Sequence, residues 1–404
     1  MKTLERLIRY CKVDTQSDPK TDTIPSTKKQ FDLAYMLEAE LKDLGVADVR
    51  VSEDCFVYAR IPGNVEGAPK IGFIAHMDTA PDYCATGVDP QVIENYDGED
   101  ITLKCGKVIE VAKYPELKRG KGKTLLVSTG ETLLGADDKA GIAAIMGAVE
   151  YIMAHPEFRH GDVGISFSPD EEVGRGISQF DIKGFDCDFA YTLDGGQVNC
   201  YSDETFNAAS AEVCFQGASI HPGSAKNKMI NASNVAHYYH GLLPVTMRPE
   251  HTEGREGFFH LHDMKGNCDY AQLDYIIRNH DKQIFEHQLV MLQEAADYVN
   301  KQYGEVCTVN IRRAYCNMKE ILDQHPQVVE LAVEGLKAIG LEPVSELVRG
   351  GTDGSFLTLN GLPCPNLGTG GGNYHGPYEY CIMEETEQAV ELIIKMLELA
   401  GDGK

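Results

Sequence analysis

Basic residues are scarce relative to acidic ones: 37 Lys+Arg stand against 62 Asp+Glu, a net charge of −25. That balance argues against a nucleic-acid backbone or an anionic membrane surface as the principal partner. Paired-cysteine motifs are missing too. The twelve cysteines, at 11, 55, 84, 105, 187, 200, 214, 268, 307, 316, 364 and 381, include no CxxC pair. Spread so thinly along a long chain, they predict reduced thiols, many buried as small apolar groups, and no disulfide framework. No stretch approaches the roughly 18 uncharged apolar residues of a spanning helix. The first residues, MKTLERLIRYCKVDTQS, are interrupted by Glu5, Arg6 and Arg9 and hold no apolar signal core. A soluble, cytoplasmic protein is expected.

Several motifs are absent as well. Gly368–Gly372 is glycine-rich, but it is not a GxGxxG after an early strand, and Gly120-Lys121-Gly122-Lys123-Thr124 lacks the first Walker glycine at the right spacing. There is no GxSxG elbow and no HExxH, which weighs against serine-hydrolase and zincin chemistry. No internal repeat or low-complexity tail interrupts the chain.

What remains is a chain of 404 residues, 43% hydrophobic and 25% charged, long enough to bury a core without staples. Helical spacing of apolar residues predicts helices over 1–10, 28–44, 140–153, 328–339 and 384–399. Short apolar runs at 49–51, 56–61, 71–75, 163–168 and 189–193 read as strands. Strands alternating with helices predict an α/β fold, a mostly parallel sheet with helices on both faces. Near Asn207 the pattern changes. Strands at 209–215, 273–277 and 306–312 and helices at 233–243 and 285–303 fit a small inserted α+β module. The expected organisation is one discontinuous α/β domain over 1–206 and 317–404, carrying an inserted α+β domain over 207–316.

The chemistry-bearing residues follow the strands. The 71–75 run leads into His76-Met77-Asp78, the 163–168 run into Pro169-Asp170-Glu171-Glu172, and the 189–193 run into Asp194-Gly195-Gly196. In open α/β sheets, ligands bind beyond that carboxyl edge. Asp137 and Asp138 stand before the 140–153 helix, and His375 stands in a glycine-rich loop before the last one. Each piece alone has an ordinary explanation: a polar loop pair, a helix cap, a solvated charge pair, a turn. Together, two His and several Asp/Glu without Cys form a ligand set for zinc or a similar divalent ion. Five candidates exceed one zinc site. Two ions need one bridging carboxylate and about two private ligands each. His76, Asp137, Glu172, Asp194 and His375 fill that scheme, with Asp137 as the bridge. Adjacent Glu171 is left free as general base, and Asp78 suits an orienting acceptor for the His76 ring.

HMDTAPD (76–82), LLGADDKAGIA (133–143), SPDEEVGRG (168–176), YTLDGG (191–196), HPGSAK (221–226), RGGTDGS (349–355) and NYHG (373–376) stand in this order. Over essentially the whole chain they resemble the tripeptide aminopeptidases. These belong to the two-zinc superfamily that also holds aminoacylases, succinyl-diaminopimelate desuccinylase and glutamate carboxypeptidases. The resemblance implies a zinc-peptidase-like catalytic domain with a ferredoxin-like insert. It implies one metal on His76 and Asp194, the other on Glu172 and His375, Asp137 between them, and an unusual peptide bond between Asp137 and Asp138. It implies that His221 stabilises the transition-state oxyanion and that Arg278 and Arg349 grip the substrate carboxylate. It admits a homodimer through the insert. Relatives more usually carry Val where Met77 stands. The expected activity is release of the N-terminal residue from tripeptides. The same site acting on another amide, as a deacylase or carboxypeptidase, is the alternative, and a non-catalytic metal-dependent binding protein is a third reading.

Overall fold

The computed structural model describes residues 2–403; Met1 and Lys404, at the outer ends of the first predicted helix and the last catalytic segment, lie outside it. The chain divides into two compact units. One comprises Met1–Asp203, Glu320–Glu346 and Thr352–Lys404; the other comprises Glu204–Lys319 and Leu347–Gly351.

The first unit is α/β. Its main sheet has eight strands in the order Asp48–Val51, Val57–Ile61, Val163–Ser168, Ile71–His76, Phe189–Gly195, Asn366–Gly368, Cys200–Ser202, Val344–Ser345. The central neighbours Val163–Ser168, Ile71–His76, Phe189–Gly195 and Asn366–Gly368 all run parallel. Period-two alternation feeds two cores. Ile71, Phe73 and Ala75 pack with helices Gln30–Asp43, Ala136–Ala154, Pro326–Ala338 and Met383–Gly401, whereas Ile74, Tyr58 and Ala190 pack with Phe180, Phe185 and Leu357 on the opposite face. Both faces are therefore covered, as a parallel sheet requires. Met77 is fully buried in the first of these cores.

Register aligns the functional ends. His76 pairs with Ser168, and Ile71 pairs with both Val163 and Phe189, so the three strands end level. A second, four-stranded sheet in the order Gly371–Gly372, Tyr380–Ile382, Leu125–Val127, Gln91–Ile93 holds the 373–379 loop by its two ends. These strands are two or three residues long, too short for any alternation to be read from sequence.

The second unit is an antiparallel four-stranded sheet in the order Phe258–Gly266, Tyr270–Asn279, Asn207–Gln216, Cys307–Tyr315. Helices Ala232–Leu242 and Lys282–Tyr303 complete a β-α-β-β-α-β succession, the split βαβ pattern. Asn231 and Asp281 cap the two helices, their side chains accepting from Asn234 N at 3.2 Å and Ile284 N at 2.9 Å. The edge strand Phe258–Gly266 is absent from the sequence expectation. It reads FFHLHDMKG; Phe259 and Leu261 pack on the core but the rest is mostly exposed, so the alternation is too short to announce a strand.

Candidate active site

Each predicted metal-ligating side chain lies in the first unit. His76, the last residue of its strand, is 2% exposed. Its Nε2 lies 2.9 Å from Asp137 Oδ1 and 3.5 Å from Asp194 Oδ1. His375 Nε2 lies 3.3 Å from Asp137 Oδ2 and 3.0 Å from Glu172 Oε2. Two triads result, His76–Asp137–Asp194 and Asp137–Glu172–His375, and Asp137 offers one oxygen to each. Asp137 and Asp138 have non-helical torsions inside the first turn of Ala136–Ala154, and the bond between them is cis. His375 sits at φ +61°, a left-handed conformation that costs a non-glycine residue about 1–2 kcal/mol and that clusters at functional sites.

Asp78 is fully buried and ties three pieces together. The His76 Nδ1 lies 3.1 Å from its carbonyl oxygen and 3.4 Å from Oδ1. Its carboxylate oxygens accept the backbone N–H groups of Glu171 at 3.0 Å and Glu172 at 3.2 Å. The short 3-10 turn Glu171–Val173 is thereby oriented by a side chain two residues beyond His76. Asp170, at φ +59°, anchors the same turn from behind. Its carboxylate accepts from Ser26 N and Oγ and from Gln30 Nε2 at 2.7 Å.

The electrostatics of the cluster call for a cation. Burial pushes the Asp194 carboxyl up to about 6, with the Asp137 charge adding to the rise. Burial and the Asp137 charge push Glu172 up to about 7. Glu171 and Asp138 are raised well above the ordinary range by burial, then by Asp194. Burial alone would raise Asp137 as well, but its bonds to the two imidazoles hold it below the usual carboxylate range. His375 is raised to about 11 by its bonds to Asp137 and Glu172. For His76, burial opposes protonation, yet Asp137 and Asp194 outweigh it and raise the ring. Glu172 Oε1 is buried without a hydrogen-bond partner. A neutral His76 that donates Nδ1–H to Asp78 also turns the Nε2 lone pair toward two carboxylates, a repulsion that a bound cation removes. The donor set of imidazoles and carboxylates fits one or two divalent ions.

Two buried acids near the site went unassigned at the sequence level. Asp353, in RGGTDGS, accepts from Ser168 Oγ at 2.7 Å, and burial pushes it up to about 7. Glu379, four residues after His375, accepts three backbone N–H groups from the segment that leads into Asp137. The RGGTDGS motif could have drawn attention to Asp353; nothing in the spacing marks Glu379.

The remaining three predicted residues stand in the second unit. His221 is exposed and its Nδ1 accepts from Gly223 N at 3.1 Å. Arg278 donates from Nη1 to the Ala209 and Ile277 carbonyls at 3.2 and 2.9 Å and lies over Tyr315. Arg349 donates from Nη1 to the carbonyls of Gly254 and Glu256 and from Nη2 to Thr252 Oγ1, and it lies over Phe206.

Fold and site together define an α/β protein in which imidazoles and carboxylates converge at the carboxyl edge of a mostly parallel sheet, in two triads that share the Asp137 carboxylate, a candidate metal centre. The sequence model of peptidase family M20/M25/M40 matches residues 134–399, and the chain belongs to that family. It is 49% identical over 399 residues to Peptidase T of Macrococcus caseolyticus, covering 98% of both chains. Among solved structures it is similar to aminopeptidase PepT from Bacillus cereus, with a TM-score of 0.79, 23% identity, and 99% and 98% of the two chains covered. It is also similar to a dinuclear metal-binding M20 peptidase of Bacillus subtilis, with a TM-score of 0.67, 13% identity and the same coverage. Among the described residues, no helix is long and apolar enough to cross a membrane.

Proposed function

We propose that this protein is a tripeptide aminopeptidase. It would hold two divalent ions, zinc first among them, one on His76 and Asp194 and the other on Glu172 and His375, with Asp137 shared. The observation that carries the reading is the Asp137 carboxylate, which offers one oxygen to each of two His-containing triads. Similarity to Peptidase T along the whole chain supports the substrate class. When bound, such a pair of ions supplies Lewis-acid polarisation of the scissile carbonyl and lowers the pKa of water.

The chain's own residues do the rest. Glu171 takes a proton from the attacking water and returns it to the leaving amine; burial raises this carboxyl, which suits a group that must both accept and release a proton. Asp78 fixes the His76 ring and, through the two backbone N–H groups, the placement of Glu171 and Glu172. His221 is assigned to the oxyanion, and Arg278 and Arg349 to the free carboxylate that a short peptide presents. We place the enzyme in the cytoplasm, a reading supported by twelve cysteines that are all free.

A matched series of di-, tri- and tetrapeptides with free and blocked termini tests the reading. Metal-stripped protein is assayed with and without zinc, and products are identified by mass. Metal-dependent release of the N-terminal residue, fastest from an unblocked tripeptide, is expected. Cleavage of acylated substrates alone, or release of C-terminal residues, would replace the aminopeptidase reading with a deacylase or carboxypeptidase one.

A further inference from the structure

Glu379 takes no part in the chemistry above, yet it is 1% exposed. All three hydrogen bonds of its carboxylate go to one stretch of backbone. Oε2 accepts from Leu134 N at 2.7 Å and Gly135 N at 2.8 Å, and Oε1 accepts from Asp137 N at 3.0 Å. These N–H groups precede the regular part of the Ala136–Ala154 helix. Gly135 is left-handed at φ +80° and Asp137 has φ −79°, ψ 105°. N–H groups at or just before a helix start have no acceptor within the helix. A buried N–H without an acceptor is a costly defect, so this carboxylate completes the turn.

The same loop also delivers His375, whose Nε2 lies 3.3 Å from Asp137 Oδ2. One seven-residue loop thus holds Asp137 twice, by its side chain through His375 and by its backbone through Glu379. The two oxygens of a carboxylate are acceptors only, which matches three converging donors. A glutamine would turn its own N–H₂ against one or two of them. Lys139, buried a turn further on with Nζ donating to the Val13 carbonyl at 2.8 Å, supplies a positive charge that acts on Glu379.

We propose that Glu379 is a positioning residue for the shared ligand: by accepting the N–H groups of Leu134, Gly135 and Asp137 it sets the orientation in which Asp137 gives one oxygen to each triad. This rests on the two-metal reading above. The role differs from that of Asp78, which acts on His76 and the Glu171–Glu172 turn. Loss of Glu379 should therefore strike the relation between the two ions more than the binding of either alone.

Cobalt(II) is titrated into metal-stripped full-length wild type, Glu379→Gln and Glu379→Asp. Bound metal is counted by elemental analysis, and magnetic coupling between ions is read by electron paramagnetic resonance. Wild type should take two coupled equivalents. Glu379→Gln should keep the first, bind the second about 10–100-fold more weakly, and lose the coupling. Glu379→Asp, which keeps the acceptor chemistry on a shorter arm, should fall between. A purely structural role would lower the unfolding temperature while leaving the ratio of the two affinities and the coupling intact. Wild-type affinities and coupling in Glu379→Gln would overturn the proposal and leave the two-metal reading standing; failure of wild type to take two equivalents would overturn both. Should Glu379→Gln not fold, hydrogen exchange of metal-free wild type decides. Protection of the amides in residues 134–137 supports the proposal, and exchange at the rate of an open loop overturns it.

Discussion

Gly141→Ala sets two opposed effects against each other. Gly141 lies within the helix Ala136–Ala154. In an open helix, replacing glycine by alanine gains about 1 kcal/mol of propensity. Here an added Cβ would lie 2.6 Å from Asp138 Oδ1 and 2.9 Å from Oδ2, with the Leu193 carbonyl oxygen nearer still. Ordinary carbon–oxygen contacts begin at about 3.3 Å. Leu193 is held in the sheet one residue before Asp194, and Asp138 accepts from His76 N, so neither neighbour is a side-chain end free to swing away. Overpacking costs about 1–3 kcal/mol, and a backbone obstacle belongs at the upper end. The net is about 2 kcal/mol of destabilisation. For a unit of this size that lowers Tm by roughly 4–8 °C, at about 2–4 °C per kcal/mol. Gly241, in the helix Ala232–Leu242, has nothing within 4 Å of its added Cβ. Gly241→Ala should therefore leave Tm unchanged or raise it. The assay is calorimetry of the metal-free variants, with metal content measured after reconstitution. A Tm for Gly141→Ala at or above wild type would refute the packing argument.

Glu171→Gln should retain metal and lose at least about 10²-fold in turnover, the usual scale of general-base effects; near-normal turnover with metal intact would remove Glu171 from that role. Asp137→Asn should weaken both metal sites, whereas His375→Ala should spare the one on His76 and Asp194, as elemental analysis after dialysis would distinguish. Chelation should abolish turnover and lower Tm, since an ion at 100 times its Kd stabilises by about 2.7 kcal/mol. The metal-free protein should also lose stability as pH rises from about 4.5 to about 7. Burial raises Glu379 and Asp353 to about 7, so across that window the folded state holds more protons than the unfolded one and each ionisation disfavours folding. Denaturation midpoints at several pH values, with and without metal, would show whether the slope is present and whether metal flattens it.

The candidate site was legible in the sequence because its proposed ligands end apolar strands or flank helices, where the run of hydrophobic residues stops and a charged residue has few other reasons to be. His76, Glu172 and Asp194 were readable in that way. The level ends produced by the His76–Ser168 pairing explain why residues so far apart converge. Glu379 and Asp353 were not readable as parts of the site. Their partners are backbone amides and a serine hydroxyl, and such contacts leave no periodic trace. The edge strand Phe258–Gly266 escaped for a related reason: beyond Phe259 and Leu261, which pack on the core, it is exposed, so its alternation breaks off after two inward positions. The two- and three-residue strands flanking the His375 loop are set by long-range pairing alone.

The chain positions of the site fix the moment at which it can come into being. The proposed ligands at 76, 137, 172 and 194 are made before the second unit, but the strand Asn366–Gly368, which pairs between Phe189–Gly195 and Cys200–Ser202 in the main sheet, is made after it. His375 and the carboxylate that seats the Asp137 turn follow it. At about 5–20 residues per second, the whole of the second unit is synthesised while the catalytic unit still lacks an inner strand. A chain halted before residue 366 would therefore lack both an inner strand of the main sheet and the proposed ligand His375, so the proposed site can be completed only after the second unit has been made.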